Sequence, residues 1–159
     1  MDANSSDSLD VVTDRHDPVA VERLLRSLPD WFGIEDSLRE YVEDARTKPT
    51  YLAVSSDSGE VLGVLLVTVH SAESAEIHLL AVAPDHHRQG IGRILVTAFE
   101  ADMAAAGAKV LQVKTLGPSR PDEAYGRTLR FYKAMAYIPL EEIHGLWGDN
   151  PCLILVKPI

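Results

Sequence analysis

The stretch from Glu76 to Arg93 constrains this chain more than any other: Glu-Ile-His-Leu-Leu-Ala-Val-Ala-Pro-Asp-His-His-Arg-Gln-Gly-Ile-Gly-Arg. An apolar strand, Ala75 to Ala83, stops at Pro84, which cannot donate to a ladder. A loop holding Gly90 and Gly92 then opens directly into a helix. Ile91, Ile94, Leu95, Ala98, Phe99 and Met103 recur there at helical spacing, which predicts a buried stripe from about Gly90 to Ala106. Gly107 ends the helix, and Val110 to Leu116 reads as the next strand. Strand, helix and strand in this order predict a right-handed crossover and a parallel pair. An all-α or all-β fold is excluded.

The flanks extend the α/β reading. Leu9 to Thr13 is a short strand candidate. Asp17-Pro18 is a helix start, a capping carboxylate before proline at the first helical position. Val21, Leu24, Leu25 and Leu28 then make one apolar face, and Pro29 stops it. Leu38, Tyr41, Val42 and Ala45 repeat the pattern. Tyr51–Val54 and Val61–Val69 read as strands around a Ser-Ser-Asp-Ser-Gly turn, so the run into Ala75 to Ala83 resembles an antiparallel meander. A last helix covers Asp122 to about Ala136. Ile138 to Leu146 and Cys152 to Lys157 close the chain around a Gly148–Pro151 turn, with Trp147 and Cys152 as packing residues. Residues 1–8 read as a flexible tail and 9–159 as a single domain.

Chemistry concentrates where the loop meets the helix. The first N–H groups of a helix have no intrahelical acceptor, and the helix dipole adds partial positive charge. Glycines let an anion approach the backbone, and Arg88 and Arg93 add formal charge. In principle this is a pyrophosphate cradle; the other reading is a glycine turn before a surface helix with solvated arginines, and the placement between a strand and an amphipathic helix favours the cradle. It lacks the Gly-Lys-Ser/Thr of a nucleotide P-loop. It also lacks the leading glycine of the dinucleotide fingerprint, since Arg88 stands two residues before Gly90.

Composition narrows the partners. Fifteen Lys and Arg against 24 Asp and Glu give a net charge of −9. Nucleic-acid affinity comes mostly from cations neutralising phosphates, so no nucleic-acid partner is expected. The acidic balance suits a cationic substrate, although many proteins share it. The longest apolar run, Val61 to Val69, is too short for a membrane helix, and the acidic, polar N-terminus is unlike a signal peptide. With Cys152 the one cysteine, no internal disulfide or multi-cysteine metal site is possible. His86-His87 has no third ligand at a sensible spacing, so no metal is expected. A cytoplasmic setting is the default expectation.

Leu80-Ala81-Val82 followed by Gly90-Ile91-Gly92 resembles motif A of the GNAT superfamily, the acetyl-CoA-dependent N-acetyltransferases. His87 stands where that pattern has Arg or Gln. Phe131-Tyr132 followed by Ala136-Tyr137 resembles the family's Phe-Tyr-x-x-x-Gly-Phe ending, with Ala136 for Gly and Tyr137 for Phe. Tyr125 occupies the position of a frequent asparagine. The resemblance implies a mixed, mostly antiparallel sheet flanked by about four helices, with acetyl-CoA as acyl donor. It implies that Leu80, Ala81 and Val82 pair with the pantetheine arm, with the Leu80 N–H polarising the thioester carbonyl. His87, Arg88, Gln89, Gly90, Ile91, Gly92 and Arg93 would hold the pyrophosphate, with Tyr125 a further cofactor contact. Tyr132 would protonate the departing thiolate, and Glu76 would be the general base.

These roles fit the reaction. An amine attacks a thioester only when neutral, so a proton must be removed. Charge developing on the carbonyl oxygen needs an oriented donor. Other readings stay open. Glu76 and His78 alternate on one strand face, which equally describes a solvated face, and His78 is an alternate base or acceptor contact. Tyr132 also fits a core tyrosine. Trp31 and Phe32 are candidate acceptor-site walls or core residues. The expected activity is acetyl transfer to a primary amine, on a small molecule or a peptide, by direct attack in a ternary complex. The alternative is a non-catalytic acyl-CoA sensor. A homodimer through the final strands remains open.

Overall fold

The computed structural model describes residues 8–159. Residues 1–7 of the expected tail lie outside the described residues. Ser8 is already held, its carbonyl accepting from the Ser56 N–H at 2.8 Å. The elements are β1 (Leu9–Val12), α1 (Pro18–Arg26), α2 (Glu35–Asp44), β2 (Thr50–Ser55), β3 (Val61–Ser71), β4 (Ser74–Val82), a short 3-10 turn (Pro84–His86), α3 (Ile91–Ala105), β5 (Val110–Leu116), α4 (Glu123–Ala134), β6 (Ile138–Gly145) and β7 (Gly148–Pro158). The seven strands follow the order β1-β2-β3-β4-β5-β7-β6. No helix among the described residues is long and apolar enough to cross a membrane.

Contacts divide the chain into two compact units. One comprises the described part of residues 1–66 with Leu79–Phe99, the other Val67–His78 with Glu100–Ile159. In the first, β1 pairs antiparallel with β2, from Leu9↔Ser55 to Val12↔Leu52, and β2 pairs antiparallel with β3. The Asp17 side chain caps α1 by accepting from the Ala20 N–H at 3.0 Å. The expected apolar positions Val21, Leu24 and Leu25 of α1, and Leu28 just past its end, are all buried. Each such side chain contributes about 1.5–3 kcal/mol on burial. The exposed ion pairs that Arg26 makes with Glu22 and Glu35 are screened by solvent and contribute little. Burial therefore docks this helix, and of the two pairs only Arg26–Glu35 joins α1 to α2.

Gly63 on β3 sets how closely α3 approaches. A Cβ there would lie 2.9 Å from Ile91 Cγ2 and 3.0 Å from Leu95 Cδ1. The first two turns of α3 thus rest on bare backbone. Ile91, Leu95 and Phe99 are buried as expected, joined by Val96. Ile94, expected in the stripe, is 40% exposed. At 3.6 residues per turn the buried arc centres beyond Leu95, toward Val96 and Phe99, and Ile94 falls on its far flank.

In the second unit β4 and β5 are parallel, from Ser74↔Val110 to Ile77↔Val113, the pair expected from the crossover. β7 is antiparallel to β5 and to β6. The expected turn at Gly148–Pro151 is displaced. Gly145 and Gly148, at φ +94° and +61°, carry the reversal, and β7 starts at Gly148. Trp147 therefore sits at the hairpin tip, 39% exposed instead of packed, while Cys152 is buried as expected.

α4 ends in a tight cap. The Tyr137 N–H donates to Tyr132 O at 2.9 Å and the Ala136 N–H to Lys133 O at 3.0 Å. Ala136 takes φ +69° to close this Schellman arrangement, and the Tyr132 and Tyr137 rings meet across it at 5.8 Å. A Cβ in the left-handed region costs about 1–2 kcal/mol. Glycine's greater freedom in the unfolded chain offsets part of that. Ala136→Gly is expected to stabilise the protein by about 1 kcal/mol, read as a higher urea midpoint at unchanged slope. An unchanged or lower midpoint would contradict the strain.

Candidate active site

The cradle is built within the first unit. After Val82, the Ala83 N–H donates to Leu62 O at 2.8 Å, and the 3-10 turn leads into His87–Gly90. Arg88 and Gly90 both adopt left-handed backbone, at φ +62° and +82°. Left-handed residues alternating with ordinary ones turn successive N–H groups toward one side, forming an anion-binding concavity. A non-glycine residue at Arg88 in this region is strained, and such strain concentrates at functional sites. Ile94 N–H donates to Gly90 O at 3.0 Å and starts the helical ladder. The earlier N–H groups of α3 stand at the helix mouth without an intrahelical acceptor. The Arg88 and Arg93 side chains are exposed beside them.

Side chains brace the loop. His87 Nε2 lies 2.8 Å from Val82 O, and the His87 ring meets Trp31 edge-on at 5.8 Å. His86 Nδ1 is 3.2 Å from Gln89 Oε1, and Gln89 Nε2 donates to Asp85 O at 3.4 Å. Trp31, remote from the cradle in sequence, thus touches it in space. Phe32 packs edge-on against Tyr41 at 5.8 Å, on the margin of the core. The ladder between β4 and β5 ends at Ile77↔Val113, although β4 runs to Val82 and β5 to Leu116. Leu80, Ala81 and Val82 therefore lie beyond the last β4–β5 pair.

The second unit holds the expected acid–base residues. Glu76 is buried, its side chain 7% exposed. Its Oε1 accepts from Gln112 Nε2 at 2.6 Å, with His70 Nε2 at 2.9 Å and Lys114 Nζ at 3.5 Å. Glu76 is opposite Gln112 in the β4–β5 register, so the parallel pairing itself creates this contact. The solvated-face alternative for Glu76 is thereby excluded. His78, two residues on, is half-buried on the same strand face. Cys152 is buried, and its thiol is pushed up by that burial, with Lys114 pulling it down and Glu76 pushing it up.

Tyr132 is buried, its ring between Phe131 at 5.2 Å and Tyr137 at 5.8 Å. Tyr125 opens α4, its N–H bonded to the capping Asp122 carboxylate at 3.0 Å. With Leu116, Arg120, Pro121 and Leu129 it helps line a cavity of about 440 Å³. Arg120 bonds Asn150 Oδ1, and the Ser119 hydroxyl donates to Glu142 at 2.6 Å, fastening this loop to the final hairpin. Among the described residues no three His, Cys, Asp or Glu side chains gather as a metal site.

Sequence reasoning missed His70, Gln112 and Lys114. Strand alternation places Gln112 and Lys114 on one face of β5, but their meeting with Glu76 depends on a register that sequence does not carry.

A model of the acetyltransferase (GNAT) family matches residues 20–137, which include the cradle, Glu76 and Tyr132. An uncharacterized N-acetyltransferase of Chlorobaculum tepidum is 30% identical over 99 residues, 60% of this chain and 57% of that relative. The match thus spans little more than half the relative's length. Among solved structures, the ribosomal-protein-S18-alanine N-acetyltransferase of Escherichia coli superposes with a TM-score of 0.75 at 14% identity, over 96% of this chain and 94% of the other. A GNAT-family acetyltransferase of Elizabethkingia anophelis with acetyl-CoA bound superposes at 0.68 and 18% identity, over 96% and 99%. At these identities the likeness is one of fold.

Proposed function

The chain belongs to the GNAT acetyltransferase family, and from that premise we propose that it transfers an acetyl group from acetyl-CoA to a primary amine by direct attack in a ternary complex. The observation that carries this reading is the cradle. Arg88, Gly90 and the mouth of α3 offer a diphosphate oriented N–H groups, helix dipole and two guanidinium groups together. The pantetheine arm would run along Leu80–Val82, whose backbone continues past the last β4–β5 pair. The Leu80 N–H is the donor proposed for the carbonyl oxygen as it gains charge.

The buried group around Glu76 supplies the basic function for the amine in this reading. Tyr132 protonates the departing thiolate, and Tyr125 contacts the cofactor. Trp31, Phe32 and His78 border the acceptor, with Trp31 also steadying His87. The acceptor is a small-molecule or peptide amine, the whole chain acts as one domain, and its setting is cytoplasmic. The deciding experiment is a panel of primary amines offered with acetyl-CoA while free CoA is monitored. Amine-dependent release of CoA is expected. Tight acetyl-CoA binding without release for any amine would overturn catalysis in favour of a sensor.

Tyr132→Phe keeps the ring and its packing on Phe131 and Tyr137 while removing the hydroxyl. It is expected to lower kcat by about tenfold, with a smaller change in the KM for acetyl-CoA. Unchanged turnover, with chemistry rate-limiting, would leave Tyr132 a packing residue.

A further inference from the structure

We propose that the His87 side chain braces the cradle without touching the diphosphate, and that Trp31 is the positioning residue that holds its ring. This rests on the reading of the cradle as the acetyl-CoA site. His87 stands where the family pattern has Arg or Gln, both of them donors suited to a phosphate. The His87 ring is turned elsewhere. Its Nε2 lies 2.8 Å from Val82 O, and the ring meets that of Trp31 at 5.8 Å with the planes 87° apart. Trp31, Val82 and His87 all belong to the first unit.

The loop needs support from outside itself. Pro84, Asp85 and residues 87–90 are exposed. A Cβ at Gly90 would meet nothing within 4 Å, so no packed neighbour holds the chain there. Arg88 nevertheless keeps a left-handed backbone at φ +62°, which a residue with a Cβ adopts only under constraint. The contacts of Gln89 with His86 and with Asp85 O stay inside the loop. The His87 bond instead reaches back to the end of β4, and its ring contact reaches Trp31, which packs against the hydrophobic core cluster.

A carbonyl oxygen only accepts, so His87 Nε2 carries the hydrogen and donates it to Val82 O. That nitrogen is committed to the strand and is not offered to a phosphate oxygen. Rotation of the imidazole would break the bond, and the Trp31 ring beside it opposes that rotation. Trp31 is itself fixed. Its N–H donates to Leu28 O at 3.1 Å, as does that of Phe32 at 3.0 Å. Gly33 closes this turn, where a Cβ would lie 3.0 Å from Pro29 O. A diphosphate then meets main-chain N–H groups and two arginines, on a loop whose shape is held from the α1–α2 connection.

The test is calorimetric titration of acetyl-CoA into the wild type, Trp31→Leu, His87→Ala and the double variant. Leucine keeps an apolar side chain on the core but has no ring. Trp31→Leu is expected to weaken binding by about threefold to tenfold, the effect of one ring pair. His87→Ala also loses the bond to Val82 and is expected to weaken binding by about tenfold. The double variant should bind within about twofold of His87→Ala, because Trp31 acts through a ring that is already gone. Nitrogen NMR should find the wild-type His87 hydrogen on Nε2, and Trp31→Leu should shift the tautomer ratio toward Nδ1, a change that lost packing alone would not produce. The wild-type spectrum and the His87→Ala titration do not depend on how Trp31→Leu folds. A double variant weakened by the product of the two single losses overturns the assignment. So does either single variant at wild-type affinity, or a wild-type ring with its hydrogen on Nδ1. Wild-type protein that does not bind acetyl-CoA overturns the cofactor reading itself, an outcome distinct from tight binding that the variants leave unchanged.

Discussion

A Gly92→Asp variant is expected to fold as the wild type does and to bind acetyl-CoA at least about 100-fold more weakly. Gly92 is the second residue of α3. A carboxylate in the first turn of a helix is favourable to the helix itself, because it faces the positive end of the dipole. Local stability and ligand binding are therefore driven in opposite directions by one substitution. The new side chain would stand where a diphosphate must approach, with a charge of the same sign. Loss of two charge-assisted contacts at about 1.5–3 kcal/mol each already accounts for a 100-fold effect. Calorimetric titration of the folded variant with acetyl-CoA reads this directly. Wild-type affinity would remove the cradle from the account of cofactor binding.

Glu76→Gln is the second large effect. The variant is expected to keep acetyl-CoA affinity, since no cradle atom changes. Its kcat/KM for the amine should fall by at least about tenfold near neutral pH, and by up to the roughly 10²–10⁴ of general-base assistance if that assistance is wholly lost. The neutral amide can hold Gln112 but presents no charge to His70 or Lys114 at 2.9 and 3.5 Å. The His70 ring then loses the charged oxygen that its Nε2 meets at 2.9 Å. Activity should recover in part as pH rises, because a larger fraction of the amine is already neutral. Full activity across the pH range would take Glu76 out of the mechanism, and His78 or a water chain would be examined next.

The difference between Glu76 and its partners marks how far the sequence is legible. Glu76 stands out because it is a carboxylate within an apolar strand, one feature of one segment. His70 lies 6 residues away across a turn, and Gln112 lies 36 residues away across α3. What joins them is strand register, set by the packing of whole elements. The faces of α1 and α3 were readable because helical periodicity is local. Ile94 escaped because the centre of the buried arc depends on how α3 sits on Gly63. The hairpin tip was misread for a related reason. Gly148-Asp149-Asn150-Pro151 has turn composition, but the positive φ values belong to Gly145 and Gly148. Pro151 is accommodated inside β7, its carbonyl accepting from the Gly117 N–H at 2.9 Å.

The contact between Trp31 and His87 has an optical consequence. Trp31 is one of two tryptophans in the chain. Its indole lies edge-on to an imidazole whose Nε2 is 2.8 Å from the Val82 carbonyl, at the lip of the cradle. The emission of an indole depends on the distance and orientation of a neighbouring imidazole. The emission of Trp31 is therefore expected to change as acetyl-CoA is titrated in, and an unchanged spectrum at saturating cofactor would separate this ring contact from the occupied loop.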